Sequence, residues 1–495
     1  MIFSSLTKKI PPQKGKYLSN LKTFFNELEK YSKNTALFLE QETISYKKLL
    51  SVADKIACQI DHRCLVVVAC KNSFSSLAGY VGFLRNGIVP LLISNTIESQ
   101  LLSKLIKCYQ PNYLYLPSEL AISFQNNETV FKHEDYELKK NNIQSTYRLH
   151  NDLALLLSTS GSTGSPKYVR QSYHNIESNT NSIAKYLEIT ESDRAITTMP
   201  MNYTFGLSII NTHLFKGASI IMTDDSLINK RFWEVIKKNH ATTFGGVPYS
   251  FEILKKLRFE KIELPYLRYI TQAGGKLNRD LCIDFTQICA RKNIKFFIMY
   301  GQAEATARMS YLPWEQAQKK TGSIGIPIPG GKICLEDDKG EIIDKPFETG
   351  ELTYYGDNVT LGYAENRSEL LKGDENHGVL HTGDLAQRDN DGFYYIVGRK
   401  NRYLKMFGNR INLDEIEQLI LTEGNECACS GVDDSLKIFI TKPEEKNRIK
   451  KYISKKTGIH LKGLEMVIVD EIPRNETGKT LYSKLDSQHI NQPNV

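Results

Sequence analysis

The sequence predicts an α/β protein in which helix-covered parallel sheets lead into a β-rich subdomain and then into a small α+β region. Three observations carry this. Leu65-Val66-Val67-Val68-Ala69-Cys70 is an unbroken apolar run, Phe74, Leu77, Val81 and Leu84 follow at helical spacing, and Val89-Pro90-Leu91-Leu92-Ile93 is a second run. That order is a βαβ unit, whose strands are covered on both faces and so need no polar alternation. The pattern recurs at Ala218-Ser219-Ile220-Ile221-Met222 and at Lys295-Phe296-Phe297-Ile298-Met299-Tyr300. Beyond about residue 320 the runs shorten between Gly, Asp and Asn turns, as in Gly350-Glu351-Leu352-Thr353-Tyr354-Tyr355 and Gly392-Phe393-Tyr394-Tyr395-Ile396-Val397. Such spacing predicts antiparallel strands. Mixed patterning resumes over the last hundred or so residues. The polar stretch Gly398-Arg399-Lys400-Asn401-Arg402 marks the expected joint, giving a domain of residues 1–399 and one of residues 400–495.

A chain of 495 residues has room for two or three domains and a large core. Its 41% hydrophobic and 24% charged content are those of an ordinary globular protein. The net charge of +8 is spread along the chain, apart from short clusters such as residues 446–456, which speaks against nucleic acid as a partner. Nine cysteines show no metal-ligand spacing, and Cys427 and Cys429 stand apart from any second pair, which points to reduced thiols. The first residues lack the apolar core of a signal peptide. No run approaches the ~18 apolar residues of a membrane span, so the expectation is a cytoplasmic protein with no transmembrane segment.

The apolar run Leu153-Ala154-Leu155-Leu156-Leu157 opens directly into Ser158-Thr159-Ser160-Gly161-Ser162-Thr163-Gly164-Ser165-Pro166-Lys167. A buried strand ending in hydroxyls, two glycines and a lysine suits a polyanion, because free N–H groups, O–H donors and a cation can converge on phosphate oxygens. A Walker A loop is excluded: Gly161 and Gly164 are too close together, and Pro166 precedes Lys167. Taken alone, such a stretch can also be a plain turn.

Four further segments give it context: Tyr300-Gly301-Gln302-Ala303-Glu304, His381-Thr382-Gly383-Asp384, Gly398-Arg399 and Pro473-Arg474-Asn475-Glu476-Thr477-Gly478-Lys479. In this order and at these separations the chain resembles the adenylate-forming superfamily of acyl-CoA synthetases, adenylation domains and beetle luciferases. The likeness runs from about residue 30 to the C-terminus. It implies that a carboxylate attacks the α-phosphate of ATP, giving an acyl-adenylate and pyrophosphate, and that the acyl group then passes to a thiol. Both reactants are anions, and two unit charges roughly 4 Å apart repel by about 4 kcal/mol at an effective dielectric of 20. Cations placed where that charge gathers are the core of such catalysis.

The resemblance implies the following roles. Lys167 and the loop hydroxyls would hold the β- and γ-phosphates, and Glu304 would bind Mg²⁺, a hard cation that keeps waters and bridges phosphates. Tyr300 would lay its ring on adenine beside Gly301, with Ala273-Gly274-Gly275 lining the base. Asp384 would accept the ribose hydroxyls, next to Arg399. Lys479 would bridge the substrate carboxylate and the α-phosphate. A mobile C-terminal domain would then swing about Asn401, and the loop around Gly408 would admit the pantetheine thiol of coenzyme A or of a separate carrier protein. The sequence leaves that choice open.

Two positions depart from the family pattern. Asn401 replaces the usual Asp or Lys, although Asn tolerates unusual backbone angles. Ala303 stands where a threonine would reach a phosphate oxygen, and a lost hydrogen bond to a charged group costs about 1.5–3 kcal/mol. Thr306, one turn on, is the candidate to compensate. The pocket segment should be Met199-Pro200-Met201-Asn202-Tyr203-Thr204-Phe205-Gly206-Leu207-Ser208. No aspartate follows Phe205, which disfavours an α-amino acid. Phe205, Gly206, Leu207 and Val247 suggest an apolar or aromatic acid, with Gln302 at its carboxylate end. Tyr203 reads equally as a pocket wall or as a core aromatic. The rival from another class is a non-catalytic nucleotide-binding homologue, argued for by Ala303 and Asn401 and against by Lys167, Glu304, Asp384 and Lys479.

Overall fold

The computed structural model describes residues 23–141, 148–158, 167–406, 409–474, 478, 480–482 and 484–485. The βαβ expectation is met at its first instance. Strand Leu65–Cys70 is buried throughout, helix Phe74–Arg85 follows, and strand Val89–Ser94 returns parallel to the first with Val67 opposite Leu91. Ser73 caps the helix by accepting from the Ser76 N–H. Every side of this helix is covered from Phe74 to Leu84, so its sequence carries little polar face. At Gly82 a Cβ would lie 2.2 Å from the Ala53 carbonyl oxygen. Only glycine therefore lets helix Tyr46–Ala57 cross so closely.

Among the described residues, one sheet of eight strands has Tyr113–Pro117, Leu65–Cys70, Val89–Ser94 and Leu153–Ser158 as its parallel centre, with antiparallel strands on both flanks. A second, of nine strands, runs parallel through Arg194–Ile196, Thr243–Gly246, Tyr269–Gln272 and Lys295–Tyr300. The β-rich stretch forms a third, antiparallel sheet of Lys332–Glu336, Gly350–Tyr355, Val379–Arg388 and Tyr394–Arg399. In its last pairing Asp384 lies opposite Arg399.

After the turn Lys400–Arg402 comes the hairpin Tyr403–Met406 and Asn409–Asn412, then the sheet Cys427–Val432, Ser435–Ile440 and Leu464–Ile468, with helices Leu413–Thr422 and Lys446–Thr457. This part has its own apolar core, including Leu404, Met406, Ile416, Ile420, Ile438, Ile449 and Ile453. Among the described residues, no helix is long and apolar enough to cross a membrane.

Candidate active site

The loop residues Thr159, Ser160, Gly161, Ser162, Thr163 and Gly164 lie outside the described residues. Their flanks are well placed. Strand Leu153–Ser158 leads in and Tyr168–Ser172 leads out as its antiparallel neighbour, Ser158 facing Tyr168. Strand Leu153–Ser158 thus ends where the loop begins, and α/β sheets bind ligands at such strand ends. At the loop's exit the Lys167 Nζ stands 3.9 Å from the centre of the Tyr363 ring and 3.7 Å from Glu365 Oε1. The Tyr363 hydroxyl donates to Glu304 Oε1 at 2.6 Å. One tyrosine therefore ties the loop lysine to the carboxylate expected at the metal.

Arg170 holds that tyrosine's segment. Its guanidinium is fully buried and donates to the carbonyls of Tyr363 (2.9 Å), Leu361 (2.7 Å) and Gly373 (3.0 Å), and it pairs with Glu375 at 2.5 Å. Neither Tyr363 nor Arg170 belongs to a motif singled out in the sequence. The one signal was that Arg170 lies on the strand directly after Lys167, at a position buried on both faces.

A second cluster surrounds Asp384, which is 2% exposed. Its carboxylate accepts from Tyr300 Oη at 2.5 Å, Gln302 Nε2 at 3.0 Å and Arg399 Nε at 2.9 Å. Burial, followed by the charge of Asp384, holds the Tyr300 phenol well above its ordinary pKa, so it stays a donor. Gln302 was expected at the carboxylate end of the acid. In this structure it also donates to the Thr382 carbonyl at 3.2 Å, beside Asp384.

Between the two clusters the backbone is strained. Thr306 has φ 63° and ψ −62°, and the Ala307 N–H donates to the Ala305 carbonyl at 2.6 Å. This is a γ-turn of the rare positive-φ kind, at a β-branched residue, costing of order 1–3 kcal/mol. Its partner in packing is Gly301, where a Cβ would sit 1.8 Å from the Ala307 carbonyl oxygen. Thr306 does not compensate for Ala303. Its hydroxyl is buried and donates to the Asn358 carbonyl at 2.7 Å.

The pocket segment lies against strand Thr243–Gly246 and the turn after it. A Cβ on Gly274 would meet Tyr203 Oη at 2.5 Å and Val247 Cγ1 at 3.1 Å, so these three meet at one point, with Gly275 beside Pro248. Phe205 and Gly245 line a small cavity, with room for about a water, together with Met299, Tyr269 and Arg308. Gly206 is not on that wall: a Cβ there would lie 2.3 Å from the Pro200 carbonyl oxygen, so its smallness serves a close chain crossing.

Lys479 and Gly408 lie outside the described residues. Gly478 is placed, with its Cβ direction 3.0 Å from Tyr249 Cβ on helix Pro248–Lys256. The lysine's neighbour therefore abuts the element that starts at Val247. Asn401 sits in the turn Lys400–Arg402. Cys427 and Cys429 are buried, and burial raises the Cys429 thiol well above its usual pKa.

No three His, Cys, Asp or Glu side chains converge on a metal-sized site among the described residues. Glu304 offers a single carboxylate with one oxygen on Tyr363. That suits magnesium, which completes its shell with phosphate oxygens and water rather than an all-protein cage.

The chain is similar to several known proteins. The 2-succinylbenzoate--CoA ligase of Geobacillus sp. (strain WCH70) is 26% identical over 449 residues, 87% of this chain and 88% of its own length. The oxalate--CoA ligase of Arabidopsis thaliana is 28% identical over 360 residues, 68% of each chain. The O-succinylbenzoate coenzyme A synthetase of Bacillus subtilis in complex with AMP shares the fold at a TM-score of 0.76 and 22% identity, over 94% of this chain and 98% of its own. ATP-bound MatB from Rhodopseudomonas palustris does so at 0.75 and 19% identity, over 95% and 99%. The AMP-binding enzyme family itself matches residues 24–364, more than half of the sequence. The chain belongs to the AMP-binding enzyme family.

Proposed function

We propose that the protein activates a carboxylic acid with ATP and magnesium to an acyl-adenylate and passes the acyl group to the pantetheine thiol of coenzyme A. The observation that carries this is the pair of clusters at the strand ends. Lys167, Tyr363 and Glu304 lie on one side, and Tyr300, Asp384 and Arg399 on the other. A cation and a single carboxylate suit a magnesium–triphosphate, and a buried carboxylate backed by Arg399 suits two ribose hydroxyls. Magnesium at Glu304 would supply charge neutralisation of the phosphates. Lys167 would hold the β- and γ-phosphates together with Thr159, Ser160, Ser162 and Thr163. Lys479 would bring substrate carboxylate and α-phosphate together, its loop reaching the pocket across Tyr249.

The relatives named as CoA ligases favour coenzyme A over a carrier protein. The acid itself would have a largely apolar body, entering between Tyr203, Val247 and Gly274 towards Phe205, with no carboxylate beside Phe205 to hold an α-ammonium group. Residues 400–495 would act as the mobile domain, turning about Asn401 to present Gly408 for the thiol step.

The test is ATP-dependent pyrophosphate release with hydroxylamine trapping, across fatty, aryl, hydroxy and amino acids, with Lys479→Ala as control. Release with one acid class that disappears in the variant supports the function. ATP binding with no release from any acid would favour a nucleotide-binding homologue without efficient chemistry, the reading that Ala303 and the committed Thr306 hydroxyl keep open. Gly408→Trp should block thioester formation and spare the adenylate.

A further inference from the structure

We infer that Asn358 is a positioning residue for Glu304: its amide holds the strained turn at Thr306, and through that turn it fixes where the carboxylate expected at the magnesium stands. This rests on the acid-activating function above and adds to it a residue that acts only through the backbone.

Glu304 lies on the loop that joins strand Lys295–Tyr300 to its antiparallel neighbour Ser310–Leu312, where Tyr300 faces Ser310. The turn at Thr306 is of a sparsely populated kind, and such backbone persists only where its surroundings over-determine it. Asn358, which is 2% exposed, supplies that hold. Its Nδ2 donates to the Ala305 carbonyl and to the Arg308 carbonyl, each at 2.9 Å, on the two sides of Thr306. Its own carbonyl accepts from Thr306 Oγ1 at 2.7 Å. Its Oδ1 accepts from Tyr354 Oη at 2.8 Å, which sets which end of the amide faces the turn.

The same segment grips Glu304 directly. The Thr360 N–H donates to the Glu304 carbonyl at 2.9 Å, and the Tyr363 hydroxyl donates to its carboxylate at 2.6 Å. Backbone and side chain of Glu304 are thus both set from residues 358–363, and the Asn358 side chain spans the turn between them. Asn175 secures the segment in turn, its Nδ2 donating to the carbonyls of Asp357 and Val359 at 2.7 Å each. Three sheets meet here. Tyr354 is on strand Gly350–Tyr355 of the third sheet, Tyr363–Ala364 pairs with Tyr168–Ser172 of the eight-stranded sheet, and the turn belongs to the nine-stranded one.

A buried asparagine is ordinarily satisfied and structural. What sets this one apart is where its bonds land, on either side of a strained residue two positions from Glu304. Groups one step behind a metal ligand typically contribute about 10- to 100-fold in metal affinity. A relaxed turn would move Glu304 and leave the cluster around Asp384 in place.

Calorimetry of ATP binding, with magnesium titrated and in EDTA, separates positioning from packing. Asn358→Ala should raise the magnesium needed for half of its effect on ATP affinity about tenfold or more, while ATP binding in EDTA stays within about twofold. Tyr354→Phe removes one bond and frees the amide to turn, and should raise the requirement about threefold. An unchanged magnesium requirement in folded Asn358→Ala, or ATP binding weakened equally with and without magnesium, overturns the inference and leaves Asn358 a packing residue. If Asn358→Ala does not fold, Tyr354→Phe decides by the same criterion. Glu304→Gln tests the underlying function and should raise the requirement at least as much as Asn358→Ala. If it does not, the magnesium role of Glu304 fails instead, and amide exchange without nucleotide still judges Asn358. Exchange at the Thr360 N–H about tenfold faster in the Asn358 or Tyr354 variant, as for lost hydrogen bonds to the turn, upholds the hold on Glu304, and unchanged protection overturns it.

Discussion

Tyr363 donates its hydroxyl to Glu304 at 2.6 Å while the same ring carries the Lys167 ammonium on its face at 3.9 Å. The two charges that would meet the triphosphate and its metal are thus set by one side chain. Burial, then the charge of Glu304, raises the Tyr363 phenol above its ordinary pKa, so it remains a donor through the neutral range. Tyr363→Phe keeps the ring under Lys167 and removes only the hydrogen bond to a charged group, worth about 1.5–3 kcal/mol. Adenylation should slow about 10- to 100-fold, with more magnesium needed for half-maximal rate. Pyrophosphate exchange over a magnesium titration reads both, and an unaltered magnesium dependence would remove Tyr363 from the site.

Asp384 already has three donors from its own chain, so ribose hydroxyls must share or displace them. Asp384→Ala removes the acceptor and leaves Arg399 without its carboxylate. ATP affinity should fall about 30-fold or more, since hydrogen bonds to a charged group are lost. Tyr300→Phe keeps the aromatic face and should change affinity by only about threefold, since a single competing donor disappears. Calorimetry with ATP distinguishes them. Equal losses in both variants would mean that the phenol, rather than the ring, contacts the nucleotide.

Arg170 anchors the segment that carries Tyr363 through the carbonyls of Leu361, Tyr363, Lys372 and Gly373 and through Glu375. Arg170→Met fills most of the space and orphans those buried carbonyls, while half-exposed Glu375 can turn to water. At about 1–3 kcal/mol per orphaned group, the loss should reach roughly 3–5 kcal/mol. Urea unfolding gives the number, and a loss under about 1 kcal/mol would show that the segment is held by other contacts.

What could be read from the sequence followed from local signals. Strands Leu65–Cys70, Lys295–Tyr300 and Gly350–Tyr355 stand where apolar runs and Gly/Asp turns put them. Those runs reflect burial on both faces, a property of neighbouring residues. The relations across the chain were not legible. Arg170 meets carbonyls about two hundred positions away, and Tyr363 meets Glu304 across 59 positions, so no spacing rule could pair them. Gly206 looked like pocket lining because smallness alone does not say which neighbour needs the room. The strained turn at Thr306 was hidden for a related reason: a positive φ at threonine is not written in residue type.

That turn leads to a prediction at Ala303. Because the Thr306 hydroxyl is bound to the Asn358 carbonyl, the phosphate contact expected from a threonine at 303 has no substitute there. Ala303→Thr should therefore raise the adenylation rate, by up to about 10- to 100-fold for one hydrogen bond to a charged group felt in the transition state. Thr306→Ala should leave the rate within about threefold and instead lower stability by about 1–2 kcal/mol, through the orphaned carbonyl. Single-turnover hydroxamate formation and thermal melting separate the two effects. A rate loss in Thr306→Ala larger than its stability loss would return Thr306 to the phosphates.

The thiols give a prediction independent of nucleotide chemistry. Cys58 is exposed, Cys108 is half-buried with its thiol donating to the Glu365 carbonyl at 2.8 Å, and the other seven are buried. Burial pushes Cys64 and Cys289 up to about 12 and raises Cys70, Cys282 and Cys429 as well. The thiolate is the nucleophile, and a raised pKa makes it scarcer at any pH below that value. At pH 8 the native protein should therefore label quickly at Cys58, more slowly at Cys108, and at the remaining seven only on the timescale of unfolding. Denaturant should expose all nine. Mass-resolved alkylation over time checks this, and fast modification of Cys427 or Cys429 in the folded protein would contradict the packing of the C-terminal sheet.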